Sequence, residues 1–190
     1  MVKIGFQGDI GSNAEEATGK FIDKFKLENA DQIPLVTSKN VVSALMEQKI
    51  DYGVMATRNS IAGEAIETKE ALNNDIEMLE ETQIPIHHCV FTKSKDVSKI
   101  TSIASHIQAL RQTSNTRKKI MPQAQEVECI DTALAAKMLC NGEYPSNYAV
   151  ICRKNAGERY GLNLFAENIE DDKSNKTTFG LFALKKLKSR

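Results

Sequence analysis

A short apolar strand, a polar or glycine-rich turn and an amphipathic helix recur along this chain, and that alternation constrains its fold most. Val2-Lys3-Ile4-Gly5-Phe6 runs through Gly8-Asp9-Ile10-Gly11-Ser12 into a helical pattern with Ala14, Ala17, Phe21, Ile22 and Phe25 on one face. Ser12 and Glu15 have the spacing of a capping box at that helix start. Ile33-Pro34-Leu35-Val36 leads through Thr37-Ser38 to a helix burying Val41, Ala44 and Leu45. Asp51 to Ala56 is a strand ending at Thr57-Arg58-Asn59-Ser60, with a turn through Gly63. Farther on, Ile84 to Phe91 reads as one buried strand, and Ile100 to Ala104 as a strand ending at Ser105-His106. Val127 to Ile130 ends at Asp131-Thr132, and Tyr148 to Cys152 is followed by a short helix. This pattern predicts an α/β protein with mainly parallel sheets. Charged Glu77 to Glu81 and the loop Glu170 to Lys176 are the expected crossings between two lobes.

Composition excludes several function classes. Hydrophobic residues make up 41% and charged residues 26%, which rules out wholesale disorder. Lys and Arg number 25 against 25 Asp and Glu, so the surplus of cations that sequence-independent nucleic-acid binding needs is missing. No apolar run approaches the roughly 20 residues of a membrane helix, and the first residues read as a strand rather than a signal peptide. The expected location is the cytoplasm. Cys89, Cys129, Cys140 and Cys152 are widely spaced and read as free thiols in apolar neighbourhoods. His87-His88-Cys89 looks like a fragment of a metal site, yet lacks the spaced partners of zinc ligation, so no metal is expected.

Several strands end in a residue able to cap a helix: Ser12, Ser38, Asn59 or Ser60, Ser105, and Asp131 or Thr132. Such junctions direct unpaired N–H groups and the positive end of a helix dipole outward, where ligands of open α/β sheets sit. Hydroxyls and amides there suit a small anion held largely by backbone. Taken singly, each of these residues is also the ordinary N-cap of any helix.

The junction residues resemble the prephenate dehydratase family over nearly the whole chain. Gly8-Asp9-Ile10-Gly11-Ser12 matches its opening glycine turn, and Asp51-Tyr52-Gly53-Val54 through Asn59-Ser60-Ile61-Ala62-Gly63 its D-x-G-V-x-P-x-E-N-S-x-x-G block. Ser105 to Leu110 resembles S-H-P-Q-A-L, Asp131-Thr132-Ala133 sits where S-T-A is usual, and Tyr160-Gly161-Leu162 matches Y-G-L. Ile169-Glu170-Asp171 and Asn175-Lys176-Thr177-Thr178-Phe179 follow the terminal I-x-D and N-x-T-R-F run.

The resemblance implies a two-lobed α/β fold of the type II periplasmic-binding-protein kind, with a ligand cleft between lobes. Residues 1–80 with 175–190 would form one lobe and 81–174 the other. It implies a lyase that converts the dianion prephenate, or arogenate, to phenylpyruvate, or phenylalanine, with no metal or organic cofactor. Carried over by position, Thr177 is the catalytic threonine, and Ser12, Asn59, Ser60, Ser105, Gln112 and Thr132 are substrate-side residues. Three departures stand out: Thr178 replaces the arginine of T-R-F, Arg58 the glutamate of E-N-S, and Ile107 the proline of S-H-P-Q. Arg58 is expected either on the substrate as well, its cation moved across the cleft from position 178, or on a solvated loop. The appended regulatory ACT and chorismate mutase domains of the family are not expected here, and the basic stretch Lys185 to Arg190 reads as a solvated last turn. A homodimer is the association the resemblance allows. Two other functions stay open: a non-catalytic small-anion sensor, and a lyase that decarboxylates prephenate without expelling the hydroxyl.

Overall fold

The computed structural model describes residues 1–185. In chain order its elements begin with β1 (Lys3–Gln7), α1 (Asn13–Phe25), β2 (Asp31–Val36) and α2 (Ser38–Met46). Next come β3 (Tyr52–Asn59), β4 (Gly63–Glu64), α3 (Ile66–Ala71) and β5 (Ile76–Pro85). The middle of the chain supplies β6 (Cys89–Thr92), β7 (Ser102–Ser105), α4 (Ile107–Gln112), α5 (Ser114–Ile120) and β8 (Gln125–Glu128). It closes with α6 (Thr132–Asn141), β9 (Tyr148–Cys152), α7 (Lys154–Arg159), β10 (Asn163–Ala166) and β11 (Lys176–Leu184).

The chain divides into two compact units, each with its own sheet. The first comprises Met1–Gly8, Asn13–Pro85 and the chain from Lys176 on; the second comprises Asp9–Ser12 and Ile86–Asn175. In the first unit the strand order is β2-β1-β3-β11-β5, with β4 on β3. There β1 runs parallel to β2 and β3, while β11 is antiparallel to both its neighbours. In the second unit the order is β10-β6-β9-β7-β8, with β7 parallel to β8 and β9, and β6 antiparallel to β9 and β10. Two α/β units threaded in this way are the type II periplasmic-binding-protein arrangement. Both sheets are mixed rather than mainly parallel, because β11 and β6 do not follow a crossover helix of the kind that a parallel neighbour requires.

Two expected features move. Glu77 to Glu81 is no crossing but part of β5, which pairs along its whole length with β11, from Ile76 opposite Leu184 to Pro85 opposite Lys176. The first unit therefore runs to Pro85 rather than stopping at 80. The acidic residues belong to an edge strand, where charge discourages further pairing, and Glu80 meets Lys24 at 2.5 Å. The apolar run Ile84 to Phe91 is two strands interrupted at residues 86–88.

Each sheet is covered on both faces within its own unit. Ile4, Phe6, Val54, Phe179 and Leu181 pack on Ala14, Ala17 and Phe21 of α1. Met55 and Phe182 face the other way, onto Val41 and Leu45 of α2. Gly53 allows that helix to lie against the strand, since a Cβ there would come within 2.5 Å of the Val41 side chain. In the second unit Phe91, Ala104 and Val150 pack on Ala133, Ala136 and Leu139 of α6, and Ile103, Ala149 and Ile151 on Leu110 of α4. Cys89 and Cys152 are register partners and free thiols, both buried, and burial pushes both pKa values up. Among the described residues no helix is long and apolar enough to cross a membrane.

Candidate functional site

Asn59 organises the candidate residues of the first unit. It is the last residue of β3, paired with Thr177 of β11, so neither it nor Ser60 starts a helix as the sequence pattern implied. Its buried side-chain oxygen accepts from the backbone N–H groups of Ile61 (3.0 Å) and Ala62 (2.9 Å), a turn that short Asx side chains favour. With the oxygen held twice, the amide cannot turn over. Its nitrogen donates to the Lys176 carbonyl at 3.1 Å and to the Thr177 hydroxyl at 2.9 Å. Ser60 completes the clamp: its N–H donates to the Lys176 carbonyl at 2.8 Å and its hydroxyl accepts from the Lys176 N–H at 2.9 Å.

The half-buried Thr177 hydroxyl therefore accepts from Asn59, which leaves its own proton for a different acceptor. A hydroxyl that accepts one hydrogen bond donates the next more strongly.

The strand register also relocates Arg58. It pairs directly with Thr178 across β3 and β11, so the two positions are neighbours on one sheet rather than facing one another across a cleft. Beyond them the register slips by one, with Thr57 as the extra residue of a β-bulge whose hydroxyl reaches the Thr178 carbonyl at 3.2 Å. Thr178 is buried and Arg58 exposed. Glu64 of β4 lies opposite Arg58 on its other side.

In the second unit one expected cap shifts by one residue. His106, not Ser105, caps α4, accepting from the Gln108 N–H at 3.3 Å. Ser105 is fully buried, and its hydroxyl donates to the Ile151 carbonyl at 2.6 Å. In the first unit, likewise, Thr37 rather than Ser38 caps α2. Asp131 caps α6, accepting from the Leu134 N–H at 2.8 Å, and Thr132 is the first helical residue, half-exposed beside it. The turn Asp9–Ser12 is fastened to that helix. Lys137 pairs with Asp9 at 3.0 Å, and the Asp9 N–H donates to Asp131 at 3.4 Å. Burial, reinforced by the Asp9 charge, raises the Asp131 pKa. Ser12 is buried at the end of the turn, its N–H on the Asp9 carbonyl at 3.1 Å. Gly11 in that turn has φ of +90°, and a Cβ would meet Ala156 at 2.7 Å, so glycine is required there.

Gln112, the last residue of α4, sits in a polar chain that sequence pattern did not signal. Its side-chain oxygen accepts from His88 Nε2 at 3.0 Å and Asn175 Nδ2 at 2.9 Å. His88 belongs to the His87-His88-Cys89 run. Among the described residues no three His, Cys, Asp or Glu side chains come together to hold a metal ion. His87 instead meets Glu170 at 3.1 Å, whose other oxygen accepts from the His88 N–H at 2.9 Å.

The candidate residues thus fall into two groups: Arg58, Asn59, Ser60 and Thr177 on the first unit, and Ser12, Ser105, Gln112 and Thr132 on the second. The family model of prephenate dehydratase matches residues 4–187. Arogenate dehydratase 5, chloroplastic, of Arabidopsis thaliana is 30% identical over 184 residues, which cover 96% of this chain and 42% of that protein. Prephenate dehydratase of Methanocaldococcus jannaschii is 34% identical over 181 residues, 92% of this chain and 62% of that protein. The crystal structure of the Arthrobacter aurescens prephenate dehydratase in complex with L-Phe shares the fold. Its TM-score is 0.83 at 24% identity, over 98% of this chain and 61% of that one. The chain therefore spans between 42% and 62% of the length of these two curated relatives.

Proposed function

The chain belongs to the prephenate dehydratase family, and from that premise we propose that it is a hydro-lyase that dehydrates and decarboxylates prephenate or arogenate. In that reaction the bond to the ring carboxylate breaks, carbon dioxide leaves, and the electron pair completes the aromatic ring as hydroxide departs from the opposite ring carbon. Aromatisation supplies the driving force. What the protein must add is a hydrogen-bond donor at the departing oxygen and a poorly solvated place for the carboxylate.

The observation that carries this reading is the Asn59–Thr177 hydrogen bond at 2.9 Å. A threonine hydroxyl is too weak an acid to ionise unaided. Held as an acceptor by an amide that cannot turn over, it is oriented as a donor, and the proton it shares offsets the negative charge that develops on the leaving hydroxide. Arg58, beside position 178, supplies a cation for a substrate carboxylate in place of the family's arginine. On the second unit, Ser12, Gln112 and Thr132 are the substrate-side residues that the family resemblance assigns. A cytoplasmic homodimer completes the proposal on the family resemblance alone.

The test is incubation of the purified chain with prephenate, and separately arogenate, at neutral pH. Phenylpyruvate or phenylalanine formed well above a heat-killed control is the expected result. A second reading, a non-catalytic anion-binding protein, is favoured by one observation: the arginine position of T-R-F is a buried, neutral Thr178. Binding of prephenate without product would select it, and carbon dioxide release without an aromatic product would select the decarboxylase.

A further inference from the structure

Gln112 is half-exposed at the end of α4, and its amide orientation decides whether it offers an anion two N–H donors or a repelling oxygen. Two N–H groups converge on its oxygen, from His88 at 3.0 Å and from Asn175 at 2.9 Å. Turning the amide over would set its own N–H groups against both donors. Among the described residues its nitrogen end meets no partner.

His88 is buried, and its other ring nitrogen, Nδ1, is buried with no hydrogen-bond partner. A phenyl ring would occupy the same space without stranding a buried lone pair. What the imidazole provides and an apolar ring cannot is the Nε2–H aimed at Gln112. The backbone that carries the ring is anchored by the Glu170 carboxylate, which accepts the His88 N–H at 2.9 Å.

From this geometry we infer that His88, with Asn175, is a positioning residue that locks the Gln112 amide with its NH2 end toward the bound anion. The inference rests on the proposed role of Gln112 as a substrate-side residue. Burial lowers the His88 pKa and favours the neutral ring, and the Gln112 oxygen selects the tautomer with its proton on Nε2.

The test compares His88→Leu, His88→Phe and His88→Gln in the full chain, the last placing an amide nitrogen near the position of Nε2. Nitrogen-15 relaxation of the Gln112 side-chain NH2, identified by its disappearance in Gln112→Glu, reads the lock directly. The expected result is a rigid NH2 in the unmodified protein and in His88→Gln, and a mobile one in His88→Leu and His88→Phe. KM for prephenate should rise roughly tenfold in the two apolar variants with kcat little changed, and His88→Gln should recover most of that loss. A Gln112 amide that stays rigid in a folded His88→Phe would overturn the inference, as would equal losses in His88→Gln and His88→Phe. If the unmodified protein neither binds nor converts prephenate, the proposed function fails. The relaxation measurement still decides whether His88 holds the amide.

Discussion

Two hydroxyls, Ser105 and Thr177, come from the same class of residue and end in opposite states. Ser105 is fully buried and its proton is committed to the Ile151 carbonyl at 2.6 Å, stitching β7 to β9. Thr177 is half-buried and accepts, at 2.9 Å, from an amide that has no freedom to turn. One hydroxyl is closed into the sheet, while the other is held with its proton to give. The difference lies in the neighbours: Ser105 sits beside a strand carbonyl, whereas Thr177 sits opposite Asn59, whose oxygen is already claimed by Ile61 and Ala62. A hydroxyl's capacity for chemistry is set by the direction of the bond it makes first.

The sharpest way to break this contrast is Thr177→Ala. Losing the oriented donor should lower kcat by roughly a hundredfold or more, the scale of removing one transition-state donor. Thermal unfolding should move little, since Asn59 keeps its bonds to the Lys176 carbonyl and to the Ile61 and Ala62 N–H groups. Near-full turnover in that variant would remove the mechanism. Ser105→Ala should do the reverse. It loses one buried hydrogen bond, a loss of about 1–1.5 kcal/mol read by denaturant midpoint, with prephenate affinity unchanged. A large loss of affinity with stability intact would place Ser105 on the substrate after all.

Arg58→Ala tests the departure from the family pattern on the same strand pair. An exposed cation contributes up to ~1 kcal/mol, so affinity for a dicarboxylate should fall by at most about fivefold at low salt and converge with the unmodified protein at high salt. Arg58→Ala combined with Thr178→Arg, which restores a guanidinium in the register position opposite, should recover the affinity. Unchanged binding in the single variant would mean that Arg58 is only a solvated side chain.

The fold was legible in the sequence wherever periodicity was local. The strand at residues 2–6, the α1 face of Ala14, Ala17 and Phe21, and the α6 start at Asp131-Thr132 all follow from spacing over one or two turns. The acidic run Glu77 to Glu81 misled because charge marks an edge strand as readily as a linker, and the pairing that decides between them comes from β11, about a hundred residues away. The site divides in the same way. Asn59 and Thr177 are visible as motif residues, but that one hydrogen-bonds the other depends on a register no local pattern encodes. The link from His88 to Gln112 escapes local pattern for the same reason. The meaning of His88 lies in the Gln112 oxygen, which it shares with Asn175 from a third segment of the chain.

A last contrast is read by pH as well as by substitution. His88 is buried and its pKa is lowered from the ordinary value of about 6.5, with desolvation the leading cause. The unfolded chain therefore binds a proton there before the folded one does, and stability falls as pH drops below about 6.5 toward the folded value. The slope from this one group is at most ~1.4 kcal/mol per pH unit. Glu170 and Asp171 are lowered too, but as carboxylates, so the stability they contribute is lost only at more acidic pH. Between pH 7 and 5.5 the unmodified protein should thus lose stability that His88→Gln keeps, measured by urea midpoints in matched buffers. Nothing in the Asn59–Thr177 group titrates in that window, so turnover by any His88→Gln protein that stays folded should owe none of its pH dependence there to Thr177. Parallel stability curves for the two proteins would mean that the ring of His88 is not held neutral by burial.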